Sequence, residues 1–524
     1  MAILELDRLT VAGDRGDIIT GLTFSIDEGE TAVMIGGSGS GKSMTARAVL
    51  GILPDGLRAS GDVRFHGESV FHMPTERRRT YLGRGTGIVF QDSFGTFDPI
   101  RTIRQHFTEL FSVHLGLKGK DADRRALYWI GRAGILDPVR VAAAYPHELS
   151  GGMRQRIQIA LAASLEPELL IADEPTTALD LNIQDAILEL LKEWKKETGG
   201  TLLLITHDLG VAREMADRML VMDNGRLVED GPARQLFTAP RSRAAMQLTD
   251  DWRTVGGAPP ADKAASPSHL LDVSGLSMSY RTGGLFKKRE VRALDEVSLS
   301  IGSGEIVGLI GESGGGKSTL ARLLAGIEPA RAGAISWHGT RNWPDAVQWV
   351  HQDPAASFNP GWTAGRLVAE GLEYRGTRRT ERERTARHLL SEVGLPSETA
   401  QQYPGELSGG MNQRLALART LAVSAELVVL DEPFASLDMS TQAKMIRLIR
   451  SLRDREGTAF LFITHDIRAA FALCSRIYVI RQGQIEDHGS PAELAASENP
   501  YTKSLLEHVP GRGVDLCNNG GGVL

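Results

Sequence analysis

The chain has few cysteines, no long apolar run and no excess of positive charge. Its two cysteines, Cys474 and Cys517, form neither a metal-ligand spacing nor a disulfide framework, which is typical of the reducing cytosol. No apolar stretch approaches the roughly 18 residues that span a bilayer, and the amino terminus shows no secretory signal. The net charge of -6 argues against a nucleic-acid partner. If the protein works at a membrane, we therefore expect other chains to cross it.

One set of motifs occurs twice, in the same order. The chain has 524 residues, enough for two or three domains, and its 42% hydrophobic and 24% charged content is typical of a globular protein. The matching segments are GGSGSGKS (36–43) and GESGGGKS (311–318), VFQD (89–92) and VHQD (350–353), YPHELSGGM (145–153) and YPGELSGGM (403–411), LLIADEP (169–175) and LVVLDEP (427–433), and LLITHDL (203–209) and LFITHDI (461–467). This repetition predicts two homologous domains.

Composition places the domain boundaries. We expect a first domain over residues 1–250, a flexible linker rich in Pro, Ala and Gly over 251–268, a second domain over 269–510 and a disordered tail over 511–524. The first copy has additional residues between its glycine-rich loop and its Gln, near HMPTERRRTYLGRG (72–85). We interpret that stretch as a loop.

Short apolar runs end at the motifs. TAVMI leads into Gly36 and EIVGLI into Gly311, and similar runs precede Asp173, Asp431 and the two ITHD segments. Such runs predict an α/β fold in which a parallel sheet is covered by helices. In such a sheet ligands bind beyond the carboxyl ends of the strands, so we expect the motifs to converge there.

Two phosphate-binding loops follow the pattern G-x-x-x-x-G-K-[ST]. Their glycines allow backbone N–H groups to approach phosphates, the lysines add charge, and Ser43 and Ser318 offer hydroxyls to Mg²⁺. The predicted nucleotide-binding residues are Gly36, Gly37, Ser38, Gly39, Ser40, Gly41, Lys42, Ser43 and Met44 in the first loop, and Gly311, Glu312, Ser313, Gly314, Gly315, Gly316, Lys317, Ser318 and Thr319 in the second.

Acidic pairs follow two of the apolar runs. Asp173 and Asp431 are predicted to hold Mg²⁺, and the adjacent Glu174 and Glu432 to polarise the attacking water.

Two further residue types keep a fixed place in both repeats. Gln91 and Gln352 are predicted to reach Mg²⁺ or the attacking water, and His207 and His465 to contact the γ-phosphate. We include all four as catalytic residues.

The signature octets are LSGGMRQR (149–156) and LSGGMNQR (407–414). Each serine is placed to cap the start of a helix, where exposed N–H groups attract an anion. The octets therefore predict a second anion site, formed by Ser150, Gly151, Gly152, Ser408, Gly409 and Gly410.

Taken together, these motifs resemble the ATP-binding cassette ATPases over nearly the whole chain. The Asp residues of ALD (178–180) and SLD (436–438) complete the set. The resemblance implies two tandem P-loop domains that bind ATP and Mg²⁺, each with a mainly parallel sheet flanked by helices, an antiparallel β subdomain and a helical signature subdomain. It also implies that the two domains meet head to tail, so that each signature completes the ATP site of the other domain.

The two halves differ at two positions. In the resembled family an aromatic ring stacks on adenine, and Tyr280 occupies that place in the second half. Gly13 stands opposite it in the first half, so we expect the first site to hold nucleotide more weakly. Arg154 in the first signature corresponds to Asn412 in the second.

The segments QDPAASFNP (352–360) and ENPYTKSLLEHVP (498–510) resemble those of the oligopeptide, dipeptide and nickel uptake branch of this family, including double-cassette importers of glutathione. That resemblance implies an ATPase that energises an importer of peptides or similar solutes. Its expected partners are integral membrane permease subunits, two in number, and indirectly a solute-binding protein. Its expected location is peripheral, on the cytoplasmic face of the inner membrane. The alternatives are a double cassette that acts on ribosomes or DNA, and an exporter.

Overall fold

A computed structural model describes residues 1–14, 16–92, 94–176, 181–256, 268–282, 289–312, 314–434, 437–507 and 509. The chain divides into two compact units, Met1–Asp250 and Asp251–Leu524. The segment predicted as a disordered tail lies outside the described residues.

The first unit alternates strands and helices. Its strands are β1 (Ala2–Gly13), β2 (Gly16–Asp27), β3 (Thr31–Gly36), β4 (Arg58–Phe65), β5 (Glu68–Ser69), β6 (Thr86–Val89), β7 (Leu169–Asp173), β8 (Thr201–Ile205), β9 (Arg218–Asp223) and β10 (Arg226–Pro232). Its helices are α1 (Lys42–Leu50), α2 (Thr75–Thr80), α3 (Ile103–His114), α4 (Gly119–Arg132), α5 (Pro138–Ala143), α6 (Gly151–Ala163), α7 (Leu181–Thr198), α8 (Leu209–Met215) and α9 (Ala233–Thr238), followed by α10 (Arg243–Gly256).

The second unit has a similar order, but no counterpart of β5 or α2 occurs among its described residues. Its strands are β11 (His269–Thr282), β12 (Arg289–Gly302), β13 (Ile306–Ile310), β14 (Ala332–Trp337), β15 (Val347–Val350), β16 (Leu427–Asp431), β17 (Ala459–Thr464), β18 (Arg476–Arg481) and β19 (Gln484–Gly489). Its helices are α11 (Lys317–Leu324), α12 (Pro354–Ser357), α13 (Ala364–Tyr374), α14 (Arg379–Glu392), α15 (Gly409–Ala422), α16 (Met439–Glu456), α17 (Ile467–Leu473), α18 (Pro491–Ala495) and α19 (Pro500–Glu507).

A six-stranded sheet forms the centre of each unit. Its order is β10-β9-β3-β8-β7-β6 in the first unit and β15-β16-β17-β13-β18-β19 in the second. All neighbours are parallel except β10 with β9 and β19 with β18. Strands β3, β7 and β8 are buried throughout, as expected for continuous apolar runs covered on both faces. The predicted α/β class is confirmed.

A smaller antiparallel sheet packs against the central one in each unit. Its order is β2-β1-β4-β5 in the first unit and β12-β11-β14 in the second. Leu4 and Val63 of the small sheet, Met34 and Ile171 of the large one, and Val49 of α1 belong to one hydrophobic core. The glycine-rich loop and its helix are therefore held between two sheets.

Helix α10 ends at Gly256, inside the segment that we expected to be a flexible linker. This end of α10, from Asp251 onward, belongs to the second unit, in which Val255 is buried and Asp251 pairs with Arg447 of α16 at 3.2 Å. Residues 257–267 of the expected linker lie outside the described residues.

The interpretation of residues 72–85 as a loop is wrong. The stretch forms α2 and then a π-helical turn over Tyr81–Gly85. The buried Tyr81 hydroxyl donates to the Val49 carbonyl at 2.6 Å, and Arg78 donates to that of Gly51. These groups satisfy carbonyls at the end of α1, which a helix cannot pair internally. In the second unit the Trp343 indole donates to Leu324 O, at the end of α11, at 2.9 Å.

Candidate nucleotide-binding sites

The phosphate loops, the acidic pairs and the two histidines lie at one edge of each central sheet, whereas the signature residues and Tyr280 lie on other elements. The glycine-rich loops follow β3 and β13, the acidic pairs end β7 and β16, and the two histidines follow β8 and β17. These strands are neighbours and run parallel, so within each unit the motifs converge as expected. Ser313 and residues 177–180 and 436 lie outside the described residues.

Both phosphate-loop lysines are buried and fold back over their own loops. Lys42 Nζ donates to Gly36 O at 2.8 Å and to Gly37 O at 3.0 Å. Lys317 Nζ donates to Gly311 O at 2.7 Å and to Glu312 O at 2.9 Å. Each ammonium group is thus positioned over a concave loop of backbone at a helix N-terminus, an arrangement suited to phosphate.

The last glycine of each loop is required by its backbone. Gly41 and Gly316 precede α1 and α11 with φ angles of 99° and 103°, which L side chains rarely adopt. A Cβ atom on Gly316 would lie 2.4 Å from the carbonyl oxygen of Ala293. The loop can therefore enter its helix only through glycine.

The serine that follows each lysine is bonded to the strand-end aspartate. Ser43 Oγ donates to Asp173 Oδ1 at 3.0 Å, and the Ser318 side chain bonds to the Asp431 carboxyl group. Burial raises the pKa of both aspartates, and the serine bonds offset this only in part.

These groups fit Mg²⁺. Asp431 Oδ1 is buried and has no hydrogen-bond partner, which is costly for a carboxylate unless a cation restores its charged form. Hydroxyl and carboxylate oxygens are ligands that Mg²⁺ prefers. Among the described residues, no group of three or more His, Cys, Asp or Glu side chains is arranged so that it could hold a metal ion.

The glutamate after each aspartate has a left-handed backbone, with φ of 49° at Glu174 and 50° at Glu432. Their amides donate to Ile205 O at 2.8 Å and to Ile463 O at 2.9 Å, which pins them to the neighbouring strands. Such a conformation costs about 1–3 kcal/mol in a non-glycine residue and tends to mark functional sites. No sequence pattern indicated it.

The two glutamates have different partners. Glu174 accepts from Gln91 Nε2 at 2.9 Å and lies 3.3 Å from His207 Nδ1. Glu432 lies 2.7 Å from His465 Nδ1, and no bond from Gln352 to it occurs among the described contacts. The histidines were predicted to contact the γ-phosphate; here they contact the carboxylates, a pairing that the motif order alone did not reveal.

These contacts shift two pKa values. Burial lowers the pKa of the His207 imidazole most strongly, but the bond and charge of Glu174 outweigh it and the net shift is upward. Burial raises the pKa of Glu432 most strongly, but the bond and charge of His465 outweigh it and the net shift is downward. Glu432 is therefore held in its ionised form, as a general base must be.

The signature serines cap helices, as predicted. Ser150 Oγ accepts from the Met153 amide at the start of α6, and Ser408 Oγ from the Met411 amide at the start of α15, both at 3.3 Å. The second signature glycine also has a packing role, because a Cβ atom on Gly152 would lie 2.5 Å from the side chain of Ile183.

Tyr280 lies on β11, and its hydroxyl donates to Glu328 at 2.6 Å and lies 3.4 Å from Arg322 of α11. At Gly13, a Cβ atom would lie 2.7 Å from the side chain of Leu57. Unequal nucleotide binding by the two units stays a prediction.

Comparison with protein families gives matches in both units. The model described as ABC transporter matches residues 19–177 and 294–435. A model described as AAA domain, putative AbiEii toxin, Type IV TA system, matches residues 142–213.

Several curated proteins are similar to the chain over nearly its full length. The peptidoglycan transport ATP-binding protein YejF of Agrobacterium fabrum is 36% identical, with 96% of each chain covered. The oligopeptide transport ATP-binding protein OppD of Mycobacterium bovis is 33% identical, covering 97% of this chain and 98% of its own. The glutathione import ATP-binding protein GsiA of Pectobacterium atrosepticum is 35% identical, covering 97% and 89%.

Among solved structures, an archaeal ribosome recycling factor, aABCE1 in complex with the stalk protein aP1, matches 90% of this chain and 88% of its own. The TM-score is 0.62 at 20% identity, a likeness that concerns the fold alone.

Proposed function

Because the chain belongs to the ABC transporter family, we propose that it is the ATP-hydrolysing subunit that energises a membrane importer of peptides or related small solutes. The observation that carries this proposal is the full-length similarity to import ATP-binding proteins, together with a complete set of catalytic residues in each unit. Glu174, Glu432, His207 and His465 are all present, so neither unit lacks its chemistry.

The chain's own residues perform hydrolysis as follows. Lys42 and Lys317 bind the phosphates from the loop side, with the backbone N–H groups around them. Glu174 and Glu432 orient the attacking water and accept its proton as its oxygen bonds to the γ-phosphorus and the bond to the leaving ADP oxygen breaks. His207 and His465 hold these carboxylates in place, and His465 also keeps Glu432 in its ionised form.

Ser43 with Asp173, and Ser318 with Asp431, are the residues that would hold Mg²⁺. The ion supplies charge neutralisation of the phosphates when bound. Ser43→Ala should raise the Mg²⁺ concentration needed for half-maximal hydrolysis. A Mg²⁺ dependence identical to that of the native chain would remove this residue from the metal site.

We also propose that each signature motif completes the ATP site of the other domain. The duplicated set of motifs supports this. In a Glu432→Gln background, where turnover depends on Glu174, Ser408→Arg should lower hydrolysis more than Ser150→Arg does. Equal losses, or a larger loss with Ser150→Arg, would speak against reciprocal sites.

We propose two integral permease subunits, and indirectly a solute-binding protein, as partners, with the chain bound to the cytoplasmic face of the inner membrane. The names of its relatives support this, since they are called transport or import ATP-binding proteins. Among the described residues no helix is both long and apolar enough to cross a bilayer. The test is to isolate the tagged chain from membranes. Co-isolation with integral permeases supports the proposal, whereas co-sedimentation with ribosomes contradicts it.

A further inference from the structure

In the first unit, the signature helix α6 touches the loop that carries the catalytic Gln. The Arg154 guanidinium lies over the Phe94 ring, 5.3 Å from its centroid, and Gln158 Nε2 donates to Thr96 Oγ1 at 2.9 Å. Arg154 and Gln158 are one helical turn apart, so they face the same side of α6. Two side-chain pairs thus join the helix to this loop.

Arg154 also reaches back to the start of the signature. Its Nη1 donates to the carbonyl of Leu149, the residue before the capping serine. One guanidinium therefore contacts both the signature turn and the loop, which its planar, multidentate group allows.

Hydrogen bonds join the described residues of this loop, and Gln91 at its start bonds to the carboxylate of Glu174. Asp92 Oδ1 accepts from the amides of Phe94 and Gly95 at 2.9 and 3.0 Å. Three residues before Phe94, Gln91 donates to Glu174 at 2.9 Å. A continuous series of contacts therefore runs from the signature turn through Arg154 and the loop to Glu174.

Among the described residues, the second unit has neither of the two side-chain pairs that join the signature helix to the glutamine loop. Its counterparts of Arg154 and Phe94 are Asn412 and Ala355, and those of Gln158 and Thr96 are Ala416 and Ser357. Asn412 is buried and donates to Pro404 O at 3.1 Å and Leu407 O at 3.4 Å.

Asn412 thus keeps the bond to the signature turn and loses the reach to the loop. No bond joins Gln352 to Glu432 among the described contacts. The residues on both sides of the contact have changed together between the two units.

We propose that Arg154 and Gln158 are positioning residues, which hold the glutamine loop of the first unit so that Gln91 reaches Glu174, and that this link makes the two ATP sites unequal. The inference rests on the proposed ATPase function and adds to it two residues outside the nucleotide contacts.

The test is a double-mutant cycle of Arg154→Asn and Gln91→Ala, measured as steady-state ATP hydrolysis by the full chain. Arg154→Asn should lower kcat roughly two- to fivefold, the factor that corresponds to a partly exposed cation–π contact, and leave KM unchanged. In the Gln91→Ala background the same substitution should cause no further loss. Arg154→Lys, which keeps a cation over the ring, should retain most of kcat.

Equal losses in both backgrounds, or a rise in KM in place of the fall in kcat, would overturn the inference. Arg124→Asn, an exposed charge on α4, serves as the matched control and should not change kcat. If Arg154→Asn does not fold, Phe94→Ala replaces it in the cycle with the same expected results, since the Phe94 side chain is 52% exposed. A native chain without any ATPase activity would instead contradict the proposed function.

Discussion

Removing the histidine should lower the kcat of ATP hydrolysis more in the second unit than in the first. His465→Ala takes away the hydrogen-bond partner of Glu432, at 2.7 Å. His207→Ala removes a contact of 3.3 Å from Glu174, which keeps the bond from Gln91 at 2.9 Å. Because the two substitutions are chemically identical, the difference between their losses of kcat measures the contribution of Gln91, the second partner of Glu174.

The expected loss of kcat follows from the strength of the hydrogen bond that is removed. A hydrogen bond to a charged group contributes about 1.5–3 kcal/mol, which corresponds to a loss of roughly 10- to 150-fold in kcat. We expect His465→Ala to fall in this range in a Glu174→Gln background, where only Glu432 can act. His207→Ala in a Glu432→Gln background should lose less, because the Gln91 bond still orients Glu174.

The pH dependence gives a second readout. His465 lowers the pKa of Glu432 below its usual value, so this carboxylate is ionised throughout pH 5–8. Without His465, burial raises that pKa above its usual value, and protonation of the base then lowers turnover as pH falls. The acid limb of the pH–rate profile should move to higher pH in His465→Ala. Equal losses in the two histidine variants, or an acid limb at an unchanged pH, would refute this reasoning.

Two further predictions concern the nucleotide sites. The Gly316→Ala variant should unfold at least about 3 °C below the Gly314→Ala variant in thermal melts. Both glycines have positive φ, but of the two only Gly316 would place its Cβ atom against a carbonyl. Equal melting temperatures would contradict this close approach. In a Lys42→Ala background, which leaves the second site, Tyr280→Ala should weaken nucleotide binding. The first site, isolated by Lys317→Ala, should bind nucleotide more weakly than the second site, isolated by Lys42→Ala. Comparable affinities in the two lysine variants would count against the adenine-stacking assignment.

The local parts of the fold could be predicted from the sequence. The buried strands β3 and β13 are continuous apolar runs, and Ser150 and Ser408 stand where a helix must begin, so short-range patterns sufficed. Residues 72–85 were wrongly predicted to form a loop, because their helical structure is stabilised by bonds from Arg78 and Tyr81 to the end of α1, which is distant in sequence.

Much of the site geometry depended on tertiary contacts and could not be predicted. The positive φ of Glu174 follows from a backbone bond to β8, and the carboxylate's pairing with Gln91 joins residues that are far apart in the chain. The difference between Arg154 and Asn412 could not be interpreted from the sequence, because the Arg154 guanidinium contacts the ring of Phe94, which is distant in the chain.

We propose that ATP hydrolysis depends on the two duplicated glutamates, Glu174 and Glu432. The double variant Glu174→Gln with Glu432→Gln tests this, because it keeps the size of both side chains but removes their basicity. We expect this chain to bind two ATP molecules and its two domains to stay closed on them, with turnover nearly abolished. Hydrolysis at the native rate would contradict it.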